Sequence, residues 1–166
     1  MKTKLTALFS FLILIVCTGC PYESKFRLSG DIIEYDKDLI GEWKKDKVDL
    51  KITRIDNKKF KYQFNDNDPE FGIGKFDGEG YVVSKMGKKY VIAELPDARK
   101  DSTGKIYYTY KIERIKQNSI IVLPLEEENP FDPKTYSSVT EFTDFVTKNA
   151  TAFRYSTPIE FKRNER

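Results

Sequence analysis

The chain has 166 residues, of which 29 are basic and 26 acidic, with 12 phenylalanines, 10 tyrosines, one tryptophan, two cysteines and no histidine. The missing histidine excludes Ser-His and Cys-His nucleophile pairs and every imidazole metal site, and it removes the commonest general base near neutral pH. The formal net charge of +3 is spread along the chain, which offers nucleic acid no concentrated basic surface.

The first element is a leader. A short basic start, Met1-Lys2-Thr3-Lys4, precedes an apolar run from Leu5 to Val16. These are the n- and h-regions of a secretory signal, with small residues placed for cleavage. The run of about a dozen residues is too short to cross roughly 30 Å of hydrocarbon. It ends in Val16-Cys17-Thr18-Gly19-Cys20, which closely resembles the lipobox of bacterial lipoproteins, with Cys17 where the family prefers Leu. The resemblance implies that Cys20 receives a diacylglycerol by thioether, that the bond after Gly19 is cut, and that the new amine is acylated. Each buried methylene contributes about 0.8 kcal/mol, so one chain binds reversibly and two or more anchor stably. The implied location is the cell membrane, through the lipid on Cys20. Pro21 stands where an Asp would retain a lipoprotein at the inner membrane, which favours the outer membrane in a Gram-negative host.

Cleavage removes Cys17 and two lysines, leaving 147 residues with a balance of +1 and Cys20 as the only cysteine. No disulfide can then form within the mature chain. The expected organisation is a signal peptide at 1–19, a lipidated N-terminus and tether at 20–38, and one domain at 39–166, long enough for a real core. The tether mixes charges with scattered apolar residues, with some order around Ile32, Ile33 and Tyr35. Fully flexible, it would reach about 24 Å.

From Gly41 the chain alternates. Val48, Leu50 and Ile52 interleave with polar residues, as do Phe60, Tyr62 and Phe64, and later Ile106, Tyr108, Tyr110 and Ile112. Period two with aromatic and β-branched residues predicts half-buried strands. Less regular strands are expected at Phe71–Asp77, Tyr81–Lys85, Lys89–Glu94, Ser119–Leu123 and Pro158–Arg163. Short turns such as Met86-Gly87 and Gln117-Asn118 imply antiparallel neighbours. One helix interrupts the strands. Ser138 and Glu141 match a capping box, and Val139, Phe142, Phe145 and Val146 fall on one face, with Lys148 near the end. That face should pack on the sheet or plug one end of a barrel. The predicted fold is mainly β: an antiparallel up-and-down barrel or strongly curved sheet of seven or eight strands, with one C-terminal helix before the last strand. Closure is favoured because it removes exposed edges.

Leu39-Ile40-Gly41-Glu42-Trp43 resembles the start of the first strand in lipocalin-like proteins, whose signature there is Gly-x-Trp. The resemblance implies a calycin β-barrel in which Trp43 packs across the closed end and an arginine stacks on it, Arg163 or Arg154. If Trp43 points inward, Val48, Leu50 and Ile52 have the opposite parity, and one bulge in Lys44–Lys47 would reconcile them.

Oxygen-rich Asn65-Asp66-Asn67-Asp68-Pro69-Glu70 reads as a turn rather than a calcium loop, because Phe71 stands where an EF-hand needs glycine. Glu126-Glu127-Glu128 reads as a solvated loop. Glu94 is carried inward if Tyr90 and Ile92 face inward, and is exposed if Val91 and Ala93 do; the second is favoured. Tyr62, Tyr108 and Tyr110 share apolar strand faces and line a cavity if the barrel is hollow. Tyr107 points the other way. The expected function is a non-catalytic, membrane-anchored binding module for a small apolar or amphipathic ligand, with no cofactor, metal or nucleic acid. The alternative is an envelope-protein interaction module with a solid core, docking through Pro96–Gly104 and Glu126–Tyr136.

Overall fold

The computed structural model describes residues 23–69, 74–96, 104–125, 136–148 and 157–164. The leader, Cys20, Arg154, the Glu126–Glu128 run and nearly all of both proposed docking loops lie outside the described residues.

Among the described residues there are ten strands: β1 (Glu23–Ser24), β2 (Asp31–Ile33), β3 (Gly41–Lys45), β4 (Val48–Arg54), β5 (Lys59–Asp66), β6 (Lys75–Lys85), β7 (Lys88–Pro96), β8 (Lys105–Lys116), β9 (Ser119–Pro124) and β10 (Ile159–Arg163). From β3 to β10 each strand pairs antiparallel with the next, and β10 returns to β3 with Arg163 opposite Trp43. Eight strands thus close into a barrel with no free edge along its wall. The single α-helix among the described residues, α1 (Val139–Lys148), comes before the last strand, as the sequence predicts.

The connections alternate between two poles, as an up-and-down barrel requires. The β4–β5, β6–β7 and β8–β9 turns share one pole with the start of β3 and the end of β10. The β3–β4, β5–β6 and β7–β8 connections share the other. At the β6–β7 turn Met86 and Gly87 have φ of 51° and 72°, the doubly left-handed geometry that matches strand twist in a two-residue hairpin.

Three local expectations are corrected. No bulge is needed after Trp43: Asp46-Lys47 form a tight turn, so Trp43 and Leu50 sit opposite each other on one face. The bulge lies instead in β8 between Ile112 and Arg114, and it brings Ile115 to the face that Ile112 occupies. The strands read as Phe71–Asp77 and Tyr81–Lys85 are one strand from Lys75 to Lys85, with residues 71–73 outside the described ones. Gly78 and Gly80, which look like turn residues, lie inside it.

The stretch read as a tether is paired and packed from Glu23 onward. β1 pairs with the first half of β8, and β2 pairs with the second half of β6 beyond the reach of β5. Between them Leu28 is buried to 1% exposure; after them Tyr35 and Leu39 are buried beside Trp43. These anchors are spaced seven and four residues apart among charges, a spacing that would share one face of a helix, yet the segment forms two short strands and a 3-10 turn. Burying three such side chains contributes roughly 1.5–3 kcal/mol each, enough to hold a segment that local propensity would leave loose.

α1 does not plug the barrel. It packs on the outer wall, where Phe142 and Val146 bury against Tyr81, Val83, Tyr90, Ile92 and Leu28. Ser138 Oγ accepts from the Glu141 N–H at 3.2 Å, while the Glu141 carboxylate accepts from Ser137 rather than Ser138. The capping box is therefore present but displaced by one residue on its return arm. Val139, expected on the packed face, is 37% exposed.

Candidate functional site

The site is the barrel interior, and its floor is built around the only tryptophan. Trp43 is 1% exposed, and its indole Nε1–H donates to the Leu39 carbonyl at 3.0 Å. A 3-10 helix at Lys37–Leu39 places that carbonyl across the pole. Arg163 stacks on the indole, with Cζ 4.3 Å from the ring centroid. Its Nη1 donates to the Ile40 carbonyl at 3.1 Å, Nη2 to the Asp38 carbonyl at 2.9 Å, and Nε to the Gln117 carbonyl. One guanidinium thus ties the entry segment, the β8–β9 turn and the last strand together over a cation–π contact. Gly41 makes this possible. It has φ of +153°, and a Cβ there would stand 2.3 Å from Arg163 Nη1. Arg163 occupies one of the two positions considered for the stacking arginine; Arg154 lies outside the described residues.

Above the floor, two aromatics lie flat against glycines. A Cβ at Gly80 would meet the Phe60 ring at 2.4 Å, and one at Gly78 would meet the Tyr62 hydroxyl at 2.7 Å. The missing side chains let both rings fold across β6, and the Tyr62 hydroxyl donates to the Glu94 carbonyl at 3.3 Å. Aromatic cover of strand glycines is a recognised way to seal such sites. Sequence reading missed it; the paired signal was glycine at alternate positions opposite Phe60 and Tyr62.

Tyr62, Tyr108 and Tyr110 converge on the inner face. Tyr108 and Tyr110 sit opposite Ala93 and Val91, which belong to the interior cluster with Tyr62. Burial pushes the Tyr62 hydroxyl far above its ordinary pKa, and the neighbouring Tyr110 and Tyr108 hydroxyls push it further. Tyr110 is raised in the same way by burial and by Tyr108. Tyr62 and Tyr110 are therefore neutral hydrogen-bonding groups at physiological pH. Tyr108 donates to the Glu23 carboxylate at 3.3 Å, so β1 contributes to the same wall.

The packing of the interior is uneven. Near the floor Phe60, Val82, Ile120 and Phe161 are buried to between 1% and 7% exposure. Farther up Leu50, Phe64, Phe76, Ala93, Leu95 and Tyr110 are only half-buried. Val91 and Ala93 belong to a strand paired on both sides, so their accessible surface opens inward. The outer wall shows the reverse. Tyr90 and Ile92, on the opposite face of the same strand, are 2% and 0% exposed under α1. The tightest packing of β7 is outside the barrel, and its inner face is accessible.

Glu94 shares the outer face with Tyr90 and Ile92. Its side chain is 18% exposed and paired with Lys105, whose pKa that carboxylate raises by hydrogen bond and charge. Glu79 stands directly opposite Glu94 and is itself paired with Lys59 at 3.8 Å. Each carboxylate therefore has its own lysine. Tyr107 also faces outward, against the α1 cluster. In the Asn65–Asp68 turn the oxygens serve neighbours: Asp66 caps the Asp68 N–H at 3.0 Å, and Asp68 pairs with Lys47 at 3.1 Å. Asn67 joins Asn65, Asp49 and the Lys47 carbonyl. A concavity of about 380 Å³ lies on the wall by Glu42, Asp49, Lys51, Gln63 and Asn164. It is half open to solvent, and Lys51 pairs with Glu42 there at 3.0 Å.

A scan against protein-family models finds no match, and searches of characterised proteins and of solved structures find no significant relative. The fold and interior define the class: an eight-stranded antiparallel β-barrel closed at one pole by a Trp–Arg stack.

Proposed function

We propose that this protein is a membrane-anchored bacterial lipoprotein whose calycin-like barrel binds a small apolar or amphipathic molecule without chemical turnover. The observation that carries the reading is the inversion of packing across β7: close contacts outside, accessible apolar surface inside. An apolar chamber with a few polar groups is the usual form of a small-molecule site. Here the chamber wall is aliphatic and aromatic, and the neutral tyrosine hydroxyls supply directional contacts for a polar head. The resemblance of Gly41-Glu42-Trp43 to the lipocalin signature supports the same reading, as does an arginine stacked on that tryptophan. The lipobox-like ending at Cys20 supports the anchor.

Native mass spectrometry of the protein extracted gently from membranes tests the binding. A co-purifying small molecule, released on unfolding, is the expected result. A ligand-free protein that also captures no added amphiphile refutes the reading and leaves an envelope-docking role as the next to examine. For the anchor, Cys20→Ser should abolish labelling by a fatty-acid probe; labelling that survives the change refutes it.

A further inference from the structure

We infer that the Trp43–Arg163 pole docks on the anchoring bilayer, with the tip of the β6–β7 hairpin seated among anionic headgroups. The inference rests on the lipid-anchor reading and goes beyond it, because the docking surface is built from residues of the folded domain. Every connection between strands at this pole lies among the described residues. Three of the four exposed large hydrophobics among those residues are here. Met86 in the β6–β7 turn, Ile55 in the β4–β5 turn and Ile32 on β2 are 74%, 49% and 37% exposed.

The hairpin stands clear of the barrel wall. β6 continues four residues past Tyr81, its last β5 partner, and β7 has no β8 partner before Tyr90. Lys85, Lys88 and Lys89 surround Met86. Lysines of the wall are matched to carboxylates, Lys51 with Glu42, Lys59 with Glu79 and Lys61 with Asp77. Among the described residues no carboxylate forms an ion pair with any of the three hairpin lysines. Carboxylates of this pole serve other groups: Asp56 accepts from the Lys58 and Lys59 N–H, Asp36 from the Asp38 N–H, and Glu34 from Asn57 Nδ2. Asp38 lies in the 3-10 turn, and Asp31 stands opposite Ser84 beside the hairpin. An exposed thioether ringed by unpaired ammonium groups suits a lipid interface, where the apolar tip enters the acyl boundary and the lysines reach phosphates. Each lysine attracts an anionic surface only weakly, so the tip orients an anchored protein and does not recruit a free one.

The anchored segment approaches from the same side. β1 runs antiparallel to β8, so the chain before Glu23 leaves toward this pole. Glu23 stands level with Tyr108, and Tyr108 with Ala93. From Ala93 to Lys88 is five residues, about 17 Å along the strand. The three residues back to Cys20 can cover up to about 11 Å of that rise. The remainder, roughly 6 Å, matches the depth of one headgroup layer.

Quenching by brominated lipid tests the docking. Met86→Trp and, at the opposite pole, Lys75→Trp at the exposed start of β6 are each produced as the full chain with its own anchor. Both are reconstituted in vesicles of phosphatidylcholine and phosphatidylglycerol with brominated acyl chains. Trp43, 1% exposed, is the common background, and circular dichroism establishes the fold. Emission added at position 86 should be quenched at least twofold more than emission added at position 75. That excess should fall by at least half in pure brominated phosphatidylcholine, or when Lys85→Gln, Lys88→Gln and Lys89→Gln are combined with Met86→Trp. Equal or reversed quenching overturns the docking and leaves an acidic protein as the partner of the tip. An excess indifferent to both changes overturns the anionic headgroup. A parallel sample, in which each mature chain is joined at Cys20 to a maleimide phospholipid, separates the two readings. If the natural chain does not float with the vesicles, the anchor reading fails, and the coupled protein must still show the same inequality.

Discussion

At the residue scale, Arg163 organises more of the fold than any other exposed-edge side chain among the described residues. It stacks on Trp43 and donates to three carbonyls from two separate segments, the entry segment and the β8–β9 turn. A lysine has the charge but not the planar fork, and it cannot serve three acceptors while stacked. Arg163→Lys should lower stability by about 1–3 kcal/mol, read as a shift in urea midpoint followed by Trp43 emission. Gly41→Ala should act in the same direction, because its Cβ displaces the guanidinium. The tyrosines give a pH signature. Burial raises the folded-state pKa of Tyr62 and Tyr110 above the unfolded value near 10. Below that value both states hold the proton; above it the unfolded chain loses its proton first, and stability falls as pH climbs toward the folded pKa. Tyr62→Phe should therefore flatten the loss of stability between about pH 9 and pH 11 relative to wild type. Tyr35, Tyr81 and Lys105 are raised as well, so the dependence should shrink and not vanish. An unchanged slope would place the Tyr62 hydroxyl in water.

At the element scale, α1 and the N-terminal segment form a second layer over one side of the barrel. Their shared core holds Leu28, Phe142 and Val146 against β6 and β7. Phe142 is fully buried, so Phe142→Ala should cost about 3–5 kcal/mol, measured by thermal or urea unfolding. Because this core is outside the barrel, folded Phe142→Ala should retain amphiphile binding. The strands and the helix were legible because both faces of their periodicity are real: Tyr108 and Tyr110 share the face of their register partners Ala93 and Val91, while Tyr107 faces α1. The cover was not legible. Leu28, Tyr35 and Leu39 carry a helical spacing that the segment does not use, and only the three-dimensional gaps beside β6 and β8 reveal why the segment binds there. Glycine misled for a related reason. Gly78 and Gly80 break a strand pattern in sequence, yet the rings of Tyr62 and Phe60 supply the missing cover from the neighbouring strand.

At the scale of the whole molecule, the barrel divides its labour along its axis. One pole is tied shut by backbone carbonyls, a guanidinium and an indole, while the other half keeps apolar surface accessible within a closed wall. The outward faces of β3 to β5 and of the first half of β6 are solvated and laced by cross-strand pairs such as Lys61–Asp77 at 2.9 Å, each contributing at most about 1 kcal/mol. Stability comes from the floor and from the outer layer. The closed barrel could be anticipated from seven or eight short alternating stretches. The looser packing of the upper inner face could not, because parity tells which side chains point inward and says nothing of how completely they fill the space. The proposed hollow rests on that face.

Ala93 offers the sharpest test of that hollow. It is half-buried on the inner face, between Gly80 and Tyr108 on the neighbouring strands, and a phenyl ring there would occupy the accessible space. A dansyl-labelled fatty acid is titrated against the delipidated protein and against Ala93→Phe, with circular dichroism to establish that both are folded. Saturable binding by the wild type, weakened at least tenfold in the variant, is the predicted result. Equal affinity in the two proteins, or no binding by the folded wild type, would contradict the account of this protein as a hollow binding barrel.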